Sequence, residues 1–127
     1  MVNINLSDYK TLYLSTARDY ILQMKSSLQT LENASGDTAA KEILHRSAHS
    51  LKSQSLVMGY KTTGELSHQI EVYGRLIKDG TKDVLSHHLK AITKSVEMLD
   101  NSLQTIDISG IEIDLTEATE ELVEITA

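Results

Sequence analysis

Residues 45–60 read HRSAHSLKSQSLVMGY: two histidines four apart, a lysine three residues after the second, and a glycine one residue from the end. Around them Ala40, Leu44, Ala48, Leu51, Ser55 and Met58 recur at intervals of three and four. That spacing predicts one buried stripe on a helix over about 38–58. At about 100° per residue, His49 falls nearly opposite the stripe, and His45, Lys52, Ser53 and Leu56 lie within about 60° of it. A helix that buries Leu44 and Leu51 therefore turns an imidazole and an ammonium outward together.

The same periodicity extends on both sides. Upstream, Tyr9, Tyr13, Ala17, Tyr20, Met24, Leu28 and Leu31 mark one long helical face, with Ser7 as the expected N-cap. The stretch NASGD breaks it, Gly36 serving as the expected stop and Asp37 as the next cap. Downstream, GYKTTG interrupts, and Leu66, Ile70, Tyr73 and Ile77 form the stripe of a helix over about 63–78. After KDGTKD, with Thr81 as the expected cap, Leu85, Leu89, Ile92, Val96, Leu99 and Leu103 give a sustained 4-3 repeat suited to bundle packing. A last amphipathic piece carries Leu115, Leu122 and Ile125, with Asp114 or Thr116 as cap. The expectation is all-α: an antiparallel four-helix bundle over 1–109, up-down-up-down, and a short fifth helix over 110–127 packed against it.

Composition agrees. The 127 residues contain no proline to break helices and no cysteine for disulfides or thiolate metal sites. Residues 1–109 hold twelve acids and twelve bases, and GIEIDLTEATEELVEITA adds six acids and no base, giving the net charge of −6. A neutral body with an acidic tail has no basic face for nucleic acid or an anionic bilayer. The longest apolar run is Leu56-Val57-Met58, and MVNINLSDYK lacks the basic start and apolar stretch of a signal peptide. The expected setting is the cytoplasm and the expected state of the isolated domain is monomeric.

On the helix over 63–78, Gly64, His68, Glu71 and Arg75 lie opposite the apolar stripe. Packed as a hairpin, the two polar edges meet. A carboxylate beside His49 holds one ring nitrogen as a donor and leaves the other unprotonated and nucleophilic. Glu71 and Arg75 also stand in the favourable i,i+4 order for a surface ion pair. Gly74, beside the stripe, is a position where helices can approach closely.

These residues carry a resemblance. HRSAHSLKSQSLVMGY followed by LSHQIE resembles the histidine phosphotransfer (HPt) domain, most of all the phosphotransfer module of CheA-type chemotaxis kinases. The family pattern, approximately F-R-x-x-H-x-L-K-G-x-A-x-x-x-G-F and then L-x-H-x-x-E, is matched at Arg46, His49, Leu51, Lys52, Gly59, Leu66, His68 and Glu71. The resemblance covers about residues 6–105. It implies that His49 takes a phosphoryl group from an ATP-bearing histidine kinase domain and passes it to an aspartate of a response-regulator receiver domain. Glu71 would orient the ring, His68 would support Glu71, and Lys52 would sit beside the phosphoryl group. His45, Ser53, Leu56, Gly64 and Arg75 would face the partners. Ser53 stands where the family has glycine, Ser55 where it has a small apolar residue, and His45 where it has phenylalanine. No Gly-rich phosphate loop is present, so ATP and Mg²⁺ belong to a separate kinase domain and no cofactor is expected here beyond the covalent phosphoryl group. Two other readings use the same residues: a helical adaptor that binds a receiver without transfer, and a zinc site of His45, His49, His68 and Glu71.

Overall fold

A computed structural model describes residues 6–127 as five helices with no strand among them: α1 (Leu6–Asn33), α2 (Thr38–Val57), α3 (Lys61–Lys78), α4 (Ser86–Ser109) and α5 (Thr116–Thr126). The connectors 34–37, 58–60 and 79–85 are short, so α1 to α4 run alternately up and down as a four-helix bundle. Helix α2 packs between α1 and α3, α1 closes the bundle on α4, and α5 lies mainly along α3.

The core is the expected stripe of each helix. Ala17, Met24, Leu28 and Leu31 meet Leu44, Ala48, Leu51, Leu66, Ile70, Tyr73, Ile77, Ile92, Val96, Leu99 and Leu103, all essentially inaccessible. Each large aliphatic side chain so buried contributes about 1.5–3 kcal/mol. Leu14 and Ile21 are buried too and were not on the predicted face of α1. Tyr9, which was, remains about half exposed because it lies at the open edge between α1 and α2.

Helix ends follow their caps where a side chain is placed to act. Asp37 accepts the Ala40 N–H at 2.8 Å and starts α2, as the sequence predicts. Gly59, at φ +84°, ends it: its N–H donates to Leu56 O and that of Tyr60 to Ser55 O, a Schellman closure. Four expectations are corrected. Ser7 lies inside α1 and not at its cap. Gly36 has no positive φ, and α1 ends in a tight turn in which the Asp37 N–H donates to Ala34 O. Helix α3 begins at Lys61, two residues early, because its first N–H groups find a distant acceptor described below. Thr81 donates its N–H to Asp79 Oδ1 within the loop, and α4 starts only at Ser86, leaving Leu85 as a half-exposed flanking residue.

Helices α2 and α3 approach each other closely at Gly74. A Cβ on Gly74 would lie 2.9 Å from His45 Cα and 3.0 Å from its backbone nitrogen. Only glycine lets the α3 backbone come this near to α2, and that contact sets the spacing of the hairpin that carries the polar edges.

Candidate phosphoacceptor site

His49 sits midway along α2 with Leu44, Ala48 and Leu51 turned into the core behind it, so its side chain is 54% exposed. Glu71 sits one residue past the core residue Ile70 on α3, and its side chain is only 8% exposed. A carboxylate at that depth needs partners. It has three. Oε2 accepts the Nδ1–H of His49, and Oε1 accepts Lys52 Nζ at 2.9 Å and His68 Nδ1 at 3.2 Å.

Burial alone pushes the Glu71 carboxyl up. The hydrogen bonds from Lys52, His49 and His68 and the charge of Lys52 outweigh it and bring the pKa from 4.5 down to about 2. The group is therefore a fixed anion at neutral pH. A fixed anion on Nδ1 dictates the tautomer of His49: Nδ1 carries the proton and Nε2 carries the lone pair. Because Nδ1 faces α3, Nε2 faces away from the bundle into solvent. The arrangement can deliver an imidazole nucleophile to an electrophile brought by another protein.

The other expected residues divide by position. Lys52, 21% exposed, is held by Glu71 within the same cluster as the imidazole. His45 is half-buried over Gly74, and burial first, then the charge of Lys78, favours its neutral form. Leu56 is half-exposed and lies over Gly64, where an added Cβ would come 2.5 Å from Leu56 Cδ2, so Gly64 itself is covered. Ser53 is exposed one turn beyond His49, on the side of α1. Arg75 is exposed, and among the described residues no ion pair joins it to Glu71. The expected surface pair does not form because Glu71 turns inward to α2.

Two features carried no sequence signal. The Glu112 carboxylate, in the connector before α5, accepts from the backbone N–H of Thr62 and Thr63 at 3.3 and 2.8 Å and from both hydroxyls at 2.9 and 2.8 Å. It caps α3 from fifty residues away. A groove with largely apolar lining also runs between α1 and α2, formed by Tyr9, Leu12, Tyr13, Ser53, Val57 and Met58. Long-range partners of this kind leave no periodic mark. Among the described residues no group of three or more His, Cys, Asp or Glu side chains is arranged to hold a metal ion, and the Lys52 ammonium occupies the Glu71 oxygen a metal would need. No helix among them is long and apolar enough to cross a membrane.

Residues 8–105 match the family model described as the Hpt domain. The chain is similar to chemotaxis protein CheA of Halobacterium salinarum, 23% identical over 105 residues that cover 83% of this chain and 16% of that protein. It is likewise similar to chemotaxis protein CheA of Bacillus subtilis, 24% identical over 107 residues, or 84% of this chain and 16% of that protein. The chain thus spans about a sixth of the length of these relatives. Among solved structures it resembles the phosphorylated P1 domain of CheA3 in complex with CheY6 from R. sphaeroides, with a TM-score of 0.86, 18% identity, and 95% of this chain and 97% of that one covered. That likeness is one of fold.

Proposed function

The chain belongs to the Hpt (histidine phosphotransfer) domain family, and from that premise we propose that His49 is its phosphoacceptor, charged by an ATP-bearing histidine kinase domain and discharged to an aspartate of a receiver domain. The observation that carries the assignment is the hydrogen bond from His49 Nδ1 to the buried Glu71, which leaves Nε2 free. In the first step the Nε2 lone pair attacks the γ-phosphorus of ATP. The bond from that phosphorus to the β,γ-bridging oxygen breaks, and its electrons leave with ADP. The Nδ1 proton stays against Glu71, which balances the positive charge that develops on the ring. In the second step a receiver carboxylate oxygen attacks phosphorus, the P–N bond breaks, and its electrons return to Nε2.

Phosphoryl transfer asks for in-line positioning and charge neutralisation more than covalent help from the carrier. Helix α2 supplies the first, since its inner face is locked in the core. Lys52 supplies the second, as a point charge next to a group that brings about −1.5 to −2. The nucleotide and its Mg²⁺ come with the kinase domain. The neighbouring fold, a P1 domain in complex with CheY6, supports a receiver as the second partner. ATP chemistry of this kind fits a monomeric domain acting in the cytoplasm.

The test is labelling by a CheA-type kinase core with γ-labelled ATP. The native chain should take up an acid-labile label, lose it to a receiver, and take up none as His49→Gln. Label retained by His49→Gln would overturn the assignment, and tight receiver binding without any label would favour the adaptor reading.

A further inference from the structure

One turn before His49, on the same outward face of α2, His45 is a second imidazole that the transfer steps do not use. Side chains four apart on a helix have Cβ atoms about 5–6 Å from each other, and each leans toward the helix N-terminus. The His49 ring therefore lies over the turn that bears His45. The His45 backbone rests against Gly74 of α3, and Glu71, which holds the His49 ring, is one turn earlier on that helix. Both histidines thus sit along the α2–α3 seam. His45 is half-buried but not sealed, and among the described residues no hydrogen bond or ion pair holds its side chain.

The charges that face His45 are already committed. Lys78 of α3 and Glu42 of α2 pair with each other at 2.8 Å. Glu71 of α3 is engaged by Lys52, His49 and His68. The remaining neighbour is His49 itself, on α2. With no uncommitted anion among these groups, burial first and then the charge of Lys78 keep His45 neutral. A phosphoryl group on His49 ends that balance, because it brings about −1.5 to −2 of charge to the next turn of the helix. We propose that His45 is a positioning residue of the phosphorylated state: neutral in the free chain, it takes a proton from water when His49 is charged, and the resulting cation favours retention of the phosphoryl group. The inference rests on the phosphocarrier reading. The proton bonds to whichever ring nitrogen of His45 lacked one, and it returns to water when the P–N bond breaks. Coupling between two sites is reciprocal, so a proton on His45 favours the phosphoryl group on His49 by the same factor. His45 bonds neither phosphorus nor Nε2 of His49, and it acts across solvent that salt screens.

The experiment lets a kinase core equilibrate the whole chain with labelled ATP and ADP, and reads the ratio of phosphorylated to free chain at about pH 8 and about pH 6. The native chain is compared with His45→Phe and His45→Gln, neither of which titrates at this position. The native ratio divided by that of either variant should grow about twofold to fourfold on going to the lower pH, and the gain should shrink as salt rises. A second measurement needs no variant: in ring ¹H–¹³C spectra the titration of His45 should move to higher pH once His49 is phosphorylated. A merely space-filling role would change the urea midpoints of the variants and leave their ratios to the native chain the same at both pH values. That result, or a His45 titration that does not move, would overturn the inference while leaving His49 as the acceptor. Absence of label on the native chain at either pH would remove both readings together.

Discussion

Glu71 and Glu112 are both carboxylates that gather several donors onto α3, and they do different things. Glu71 faces ionisable side chains, His49, Lys52 and His68, so its charge decides a tautomer and offers a nucleophile. Glu112 faces backbone N–H groups and hydroxyls of Thr62 and Thr63, so its charge caps the start of a helix and pins the connector to the bundle. The difference is in the partners, since only titratable partners turn a buried anion into chemistry. The Glu112 region fixes where α3 starts. The Glu71 region uses where it has been put.

The sharpest way to break this contrast is Glu71→Gln. The amide keeps a carbonyl for His49 Nδ1 but removes the charge, and its NH₂ cannot accept from Lys52. Phosphorylation by a kinase core should fall on the order of 10²-fold while the fold persists by circular dichroism. Gly74→Ala comes next, because the new Cβ would sit 2.9 Å from His45 Cα and push α2 from α3. It should cost about 1–3 kcal/mol in urea unfolding and slow phosphorylation through a displaced Glu71. Glu112→Ala should cost about 1–2 kcal/mol, seen as a melting point several degrees lower, with an unchanged phosphorylation rate. Should that rate fall as much as in Glu71→Gln, the two regions would not be separable. The smallest effect concerns pH. The folded pKa of Glu71, about 2, lies below its ordinary 4.5, so between those values the unfolded chain binds the proton more readily. Its contribution to stability is full above 4.5 and is lost as pH falls toward 2. Urea midpoints followed from pH 5 to 2.5 should therefore drop less in Glu71→Gln than in the native chain.

The sequence made one of these regions legible and not the other. His49, Lys52, His68 and Glu71 lie on two helices at fixed spacings, and a helical wheel is enough to turn them to one edge. The helices themselves follow from stripes such as Leu66, Ile70, Tyr73 and Ile77, which a period of 3.6 residues exposes directly. Glu112 could not be found this way, since its partnership with Thr62 and Thr63 depends on how a connector returns over the end of a helix fifty residues earlier. The early start of α3 has the same origin, whereas the late start of α4 has a local one. The first N–H groups of α3 are held by the distant Glu112, and the N–H of Thr81, the expected cap, is taken up by Asp79 two residues back. Arg75 shows the limit of pairing rules: i,i+4 geometry favours it for Glu71, yet burial turned that carboxylate toward α2.

The most direct test of the central claim is the position of the proton and of phosphorus on the His49 ring. Long-range ¹H–¹⁵N correlation spectra would be recorded on the chain before and after phosphorylation. The account predicts the Nδ1–H tautomer in the free chain and phosphorus bonded to Nε2 in the modified one. An Nε2–H tautomer, or phosphorus on Nδ1, would contradict it, because the Glu71 hydrogen bond would then not be what prepares this histidine.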